Sequence, residues 1–371
     1  MTSGDFFSRI EAQYQNQLPF VMYRKPNHNM VSGLLQEDSH LHFTDNFIEK
    51  GFVFSPFDDI QKTVLIPFET SETISTSSVI SDNSGKSFLT YSVASETKQH
   101  HVNLVKKGVE AIENAQFKKV VLSRQETVNL PNAQAISIFK RLLNTYNNAF
   151  VYCWYHPKVG LWLGATPETL IKIEGKRFSI MALAGTQDYK GTLHVDWQRK
   201  EQHEQQLVTD FIVDNLESSL ENFTVSNPET VKAGNLLHLK TMISAQLKSN
   251  TTLKEVIRAL HPTPAVCGLP KAAAKQFILE HEGYNREFYT GFLGELNYDT
   301  VVAPRTGKRN IENRAYTTSR KSTQLYVNLR CMQLKNQQAI IYVGGGITKS
   351  SNAESEWEET VSKSLVIKSV L

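Results

Sequence analysis

The spacing of apolar residues changes along this chain, and the changes mark its elements. In residues 1–70 the runs PFVMYR, VSGLLQ, GFVFSPF and TVLIPF are short, apolar and separated by turn formers, so they predict strands. Residues 69–86 (ETSETISTSSVISDNSGK) are rich in Ser and Thr and predict a loop. From about residue 100 the period lengthens: Val102, Val105, Val109 and Ile112 recur at helical spacing. The strand FKKVVLSR (117–124) follows, then a helix carrying Ala135, Phe139, Leu142, Leu143 and Tyr146. Three strands come next, FVYCWYH, LWLGAT and TLIKIE, and a Gly175-Lys176 turn leads into RFSIMALAG, a hairpin signal.

Residues 196–220 predict a long helix with Leu207, Phe211 and Leu216 on its buried side. TLKEVIRAL (252–260) predicts a short one, ended by the prolines of HPTPAVCGLP. A helix over 270–281 precedes the strand FYTGFLGELN. STQLYVNLRCMQL and AIIYVGGG predict two more strands, and a last helix starts near residue 353. No repeat or linker divides the chain and hairpins dominate. The expected fold is therefore α+β, one domain over 1–371, with mostly antiparallel sheets and helices packed outside.

Composition narrows the function. The 371 residues are 40% hydrophobic, enough for a substantial core, and the net charge of +3 gives no electrostatic reason to expect nucleic acid. Cys153, Cys267 and Cys331 lie far apart with no CxxC spacing, which argues against a disulfide framework or a zinc site and fits a reducing cytoplasm. MTSGDFFSRIEAQ lacks the basic start and apolar run of a secretory signal, and no stretch of 18 apolar residues occurs, so no membrane span is expected.

Several residues could carry chemistry. Lys118 and Lys119 are adjacent on a strand and point to opposite faces; the inward one could act as a base, or both could guard a strand edge. Glu168 follows Pro167 at a strand end, where a desolvated carboxyl can stay protonated and donate; the alternative is a solvated turn residue. Glu356, Glu359 and Lys363 share one helical face beside a stripe of Trp357, Val361 and Leu365. With Glu204 on another helix they could hold magnesium, or simply be solvated charge pairs. Gly344, Gly345 and Gly346 end an apolar strand, and their amides could bind a carboxylate or form a turn. Arg330, flanked by strand residues, needs an anionic partner, either a bound carboxylate or a structural ion pair. His261 is either a donor near substrate or a satisfied loop residue.

The motifs KVVLSR, GATPE, LAGT, HE within a helix, HPTPAVCGLP, YTGFLG, LRC, GGGI and EWEET, in that order over residues 100–371, resemble the chorismate-utilising enzymes. The resemblance implies two large antiparallel sheets packed face to face, helices outside and a deep cleft. Residues 101–371 are then the motif-bearing catalytic part and 1–100 a variable N-terminal part. Members that add water keep a lysine at the position of Lys119, which favours isochorismate synthase. Salicylate synthase is the nearest alternative, followed by the ammonia-using anthranilate and aminodeoxychorismate synthases. The resemblance implies that magnesium, held by Glu204 and Glu359 with Glu356 in or near its shell, binds the ring carboxylate of chorismate. Gly185 and Thr186 lie near that carboxylate, while Arg330, Lys363 and the amides of Gly345 and Gly346 hold the enolpyruvyl end. Lys119 activates water and Glu168 protonates the departing hydroxyl; His261 contacts substrate and Ala265 keeps the wall small. The family is often monomeric. With no siderophore-specific feature visible, the menaquinone pathway is the weaker-founded but preferred destination. The segment 301–323, with Arg305, Lys308, Arg309, Arg314, Arg320 and Lys321, is a basic departure from the family pattern. It reads as a solvated loop or as a weak docking surface for a pathway enzyme, and on an inherited scaffold without catalysis it would be the working part.

Overall fold

Among the described residues nineteen strands alternate side chains between their two faces and assemble into two sheets, every pair antiparallel. The structure, a computed structural model, describes residues 1–77, 95–131, 134–233, 236–302 and 318–371. In the first sheet the order is β15 (Gly268–Leu269), β7 (Lys119–Asn129), β19 (Gln338–Ile347), β18 (Cys331–Lys335), β9 (Gly160–Thr166), β8 (Phe150–His156), β1 (Phe20–Arg24), β2 (Met30–Gln36) and β6 (Ser71–Ser77). In the second it is β12 (Leu220–Val225), β14 (Leu236–Leu247), β11 (Arg177–Asp188), β10 (Thr169–Glu174), β17 (Thr318–Val327), β16 (Phe292–Val302), β4 (Gly51–Ser55), β5 (Thr63–Pro67) and β3 (His42–Thr44), with β13 (Glu229–Ala233) paired to β14.

The facing surfaces meet in an aromatic core. Phe150 stacks on Tyr326 with centroids 4.0 Å apart, Phe54 on Phe288 at 4.2 Å, and Trp162 on Tyr342 at 5.3 Å. The first of these pairs joins the two sheets, and large rings bury more area per residue than aliphatic side chains. Helices cover the outer faces. α1 (Ser3–Gln15) and α3 (Ala135–Thr145) pack on the first sheet through Phe6, Ile10, Phe139 and Leu142. α4 (Arg199–Leu216) and α5 (Leu253–Leu260) pack on the second through Val208, Ile212, Val256 and Leu260. α2 (Ser95–Glu113) and α6 (Lys271–His281) clasp β7, and α7 (Ala353–Lys368) lies over β19. This is the α+β, two-sheet architecture that the sequence and its resemblance lead to expect. Among the described residues no helix is long and apolar enough to cross a membrane.

The chain passes between the sheets twice at one spot. β9 leaves the first sheet and β10 starts the second across Pro167 and Glu168, and β17 returns to β18 across Asn328, Leu329 and Arg330. The crossings are tied together: Val327 N donates to Glu168 O at 3.0 Å, Ala165 N to Arg330 O at 3.1 Å, and Thr166 Oγ1 to Val327 O at 2.6 Å.

The structure corrects several expectations. STQLYVNLRCMQL is two strands rather than one, and Arg330 sits between them with φ of 48°, not inside a strand. Ser71–Ser77, read as loop, pairs with β2 as an edge strand, since backbone pairing needs little apolar content. Residues 1–15 contain α1, capped by the Thr2 hydroxyl, which accepts from Asp5 N. β12, β13 and β14 fill residues 220–247, to which the pattern alone assigned nothing. Gly344, Gly345 and Gly346 lie within β19 and form no turn. On α7 the exposed Leu365 is not part of the buried stripe; Trp357, Thr360, Ser364 and Ile367 form it, alongside Glu356 and Lys363. The basic positions Arg305, Lys308, Arg309 and Arg314 lie outside the described residues, while Arg320 and Lys321 stand on β17.

Candidate active site

β19 is paired unequally on its two sides. β7 runs beside it as far as Ile347, whereas β18 stops opposite Ile341. Residues 342–347 therefore present a free edge, and a cleft of about 860 Å³, counting its open mouth, lies against it. Gly344, Gly345 and Gly346 form one wall, Gly185 and Thr186 of β11 face them, and Ala265 with Val266 and the crossing residues Glu168 and Arg330 close the rest.

Lys119 opens β7 with its side chain fully buried, while Lys118 is exposed, as strand alternation requires. Burial on this scale excludes the edge-guarding reading of Lys119. Its Nζ donates to Glu204 Oε1 at 2.7 Å. Glu168 is buried at the sheet crossing, and desolvation pushes its carboxyl up to about 8 against the opposing pull of Lys119 and Arg330. It is thus mostly protonated at neutral pH, the state of a donor. The Arg330 guanidinium also lines the cleft, and it has no hydrogen-bonding partner among the described residues. Burial lowers its pKa, opposed by Tyr289, Glu359 and Glu168, and a guanidinium keeps its charge in proteins, so it is a cation on the cleft wall.

Each expected metal-site carboxylate has a lysine. Glu204 holds Lys119, Glu356 accepts from Lys200 at 2.8 Å, and Glu359 accepts from Lys363 at 2.5 Å. Lys363 also donates to Gly344 O at 2.9 Å. Burial and then repulsion from Glu359 raise the Glu356 carboxyl. Burial would raise Glu359 too, but Lys363, Lys200 and Arg330 outweigh it and hold it below the usual range. Burial would lower Lys200, yet Glu356, Glu359 and Glu204 together raise it. Among the described residues no three acidic, His or Cys side chains converge on a single metal-sized point. Bare glycines leave room between them. A Cβ on Gly346 would lie 2.6 Å from Glu204 Oε1, and one on Gly345 would lie 3.5 Å from oxygens of both Glu356 and Glu359. Oxygen donors around a glycine-bordered space match what magnesium takes, a few carboxylates plus water and ligand oxygens.

Ten expected residues line the cleft: Glu168, Gly185, Thr186, Glu204, Ala265, Arg330, Gly345, Gly346, Glu359 and Lys363. Lys119 lies directly beneath, with its Cε 3.1 Å from where a Gly346 Cβ would be, and Glu356 reaches the wall through Lys200. His261 stands apart. Its buried Nε2 pairs with Pro56 O at 3.1 Å and burial drops its pKa to about 4, so it is a satisfied loop residue behind Ala265.

Sequence reasoning missed His238 on β14, Lys200 on α4 and Tyr289. His238 Nδ1 pairs with Gly185 O at 2.8 Å, while its buried Nε2 has no partner and desolvation lowers its pKa to about 3. As a neutral ring donating from Nδ1, it offers Nε2 as an acceptor beside the cleft. The one available signal was a lone histidine in the apolar strand LLHL. Lys200 was legible as the residue four before Glu204 on one helix face.

Two family models described as chorismate binding enzyme match the chain, over residues 43–309 and 314–369. Among curated proteins, the isochorismate synthase MenF of Pasteurella multocida is 28% identical over 280 residues, 72% of this chain and 60% of that protein. The isochorismate synthase EntC of Escherichia coli is 30% identical over 259 residues, 66% of this chain and 60% of that protein. The matched stretch thus spans three-fifths of each relative's length. Of solved structures, the menaquinone-specific isochorismate synthase MenF from Escherichia coli superposes with a TM-score of 0.75 at 20% identity, covering 95% of this chain and 88% of that one.

Proposed function

We propose, from the premise that this chain belongs to the chorismate-binding enzyme family, that it is an isochorismate synthase, converting chorismate reversibly into isochorismate. The observation that carries this reading is a protonated, buried Glu168 on the cleft wall, with the fully buried Lys119 against the back of the cleft's glycine wall. Exchange of one hydroxyl for another needs a group that takes a proton from water and one that gives a proton to the departing hydroxyl.

Chorismate carries two carboxylates, and the cleft offers a region for each. Arg330, Lys363 and the free edge at Gly345 and Gly346 receive the enolpyruvyl carboxylate, Arg330 through a planar fork with no hydrogen-bonding partner among the described residues. Gly185 and Thr186 approach the ring carboxylate from β11, His238 Nε2 on β14 is an acceptor for a substrate or water O–H, and Ala265 leaves the ring room. Glu204 and Glu359, with Glu356 behind Lys200, would hold magnesium, which when bound supplies positive charge to offset and orient that carboxylate. Lys119, released from Glu204 as a neutral amine, takes a proton from water as the water adds to ring carbon 2, and becomes the ammonium. The ring double bonds shift, and Glu168 gives its proton to the hydroxyl leaving carbon 4. In the reverse direction the two exchange roles.

The test is to incubate pure protein with chorismate and magnesium, without ammonia, and to resolve the products by chromatography. Isochorismate in equilibrium with chorismate is expected. Salicylate with pyruvate would move the chain to the neighbouring activity, a product formed only with ammonia would move it to the amine-adding members, and no turnover under any of these conditions would overturn an enzymatic role.

A further inference from the structure

A second concavity of about 1290 Å³, counting its open mouth, adjoins the active-site cleft on the far side of Lys200, the one side chain that lines both. Its floor is apolar, built from Ile112, Phe117, Leu207 and Pro270. Its rim carries Lys118, His203 and Lys349, and among the described residues no acidic side chain lines it. Lys118 and Lys349 are both exposed, and neither makes an ion pair among the described residues. Lys200, in contrast, is committed to Glu356.

We propose that this groove is the vestibule of the active site, capturing the dianionic substrate before it passes Lys200 into the cleft. The proposal rests on the functional reading above. The ligand class follows from the lining: two uncommitted ammonium groups over an apolar floor complement a ring bearing two carboxylates. A pocket wall of one charge sign concentrates oppositely charged ligand near the mouth and speeds its capture. Free lysines on a solvated rim act over roughly 8–10 Å at moderate ionic strength, so the effect weakens as salt rises. The groove does no chemistry, and its lysines touch none of the reacting atoms.

The experiment uses the full chain and chorismate itself. Trp197 packs against Gly185 at the cleft and reports binding by its fluorescence. Association rate constants are measured by stopped flow for the wild type and for Lys118→Glu/Lys349→Glu, from low to high salt, with kcat read on the same samples. Lys118 keeps its backbone bond to Leu269 O in either protein, and a matched circular dichroism spectrum checks the fold. The variant should associate roughly tenfold more slowly at low salt, converge with the wild type at high salt and keep its kcat within twofold. Equal association rates at every ionic strength, or a fall in kcat matching the fall in rate, would overturn the vestibule while leaving the functional reading intact. A wild type that binds chorismate but yields no product fails the functional reading, and the vestibule is then judged by the association rates alone. A wild type that does not bind chorismate overturns both.

Discussion

Lys119 and Glu168 are both buried, but their surroundings treat them differently. Lys119 has a carboxylate partner in Glu204, whereas Glu168 has only distant cations, so desolvation prevails and keeps it protonated. Lys119→Ala should lower kcat by about 10²–10⁴-fold in a chorismate assay while leaving chorismate binding nearly unchanged; near-wild-type turnover would remove it as the base. For Glu168 the folded carboxyl titrates near 8 against an ordinary value of 4.5, so between those pH values the folded state binds the proton more tightly than the unfolded chain. Its contribution to stability is therefore full below pH 4.5 and declines as pH rises to about 8. Urea titrations should show Glu168→Gln gaining on the wild type across that window, by an amount on the order of a few kcal/mol above it. Forward turnover of the wild type should fall above pH 8 as the donor ionises. At this scale the sequence was legible where a residue broke its local pattern: a lysine in a strand, a glutamate behind a proline, an arginine between apolar neighbours. It was silent where burial alone makes the residue useful, as with His238, whose unpartnered Nε2 no spacing announces. His238→Ala should reduce kcat/KM for chorismate about tenfold, the loss of one good hydrogen bond, and an unchanged value would make the ring purely structural.

At the scale of elements, β19 and α7 form one working unit. Gly346 and Gly345 are neighbours with different tolerances, because a Cβ meets Glu204 Oε1 at 2.6 Å from the first and only ordinary contacts at 3.5 Å from the second. Gly346→Ala should displace Glu204 and lower activity at least tenfold, with Gly345→Ala the milder of the two; the opposite order, read from initial rates, would discard this account of the wall. α7 is held by Arg124 of β7, which donates to Thr360 Oγ1 at 2.8 Å, lies 4.4 Å from the Trp357 ring and pairs with Glu126 at 3.0 Å. Glu126 in turn pairs with Lys368. Arg124→Ala should cost about 2–3 kcal/mol in urea denaturation and raise the magnesium concentration needed for half-maximal rate, since α7 carries Glu356, Glu359 and Lys363. Long elements with a clear period, such as β7, β11 and α4, were legible in the sequence. The short break at Asn328–Arg330 was not, because a residue that leaves the strand for a left-handed turn changes one dihedral angle and no hydrophobic pattern.

Across the whole molecule, the site joins two sheets. Lys119 and the glycine wall belong to the first, Gly185 and His238 to the second, and Glu168 and Arg330 stand where the chain crosses between them. The resemblance in the motifs implied two sheets packed face to face and a deep cleft; alternation alone supplied antiparallel sheets without saying how they dock, since docking depends on aromatic pairs such as Phe150 and Tyr326 that lie far apart in sequence. The order of strands has a further consequence for synthesis of the chain. β19 is the strip that joins β7 to β18, and without it β7 is paired, among the described residues, only to the two residues of β15. From its own synthesis until β19 is made, β7 therefore waits with an open edge for a partner about two hundred residues away, the kind of distant pairing that folds slowly and invites aggregation. A ribosome that stops before residue 338 releases no feeble enzyme: it releases a half-zipped sheet for chaperones to shelter or proteases to clear.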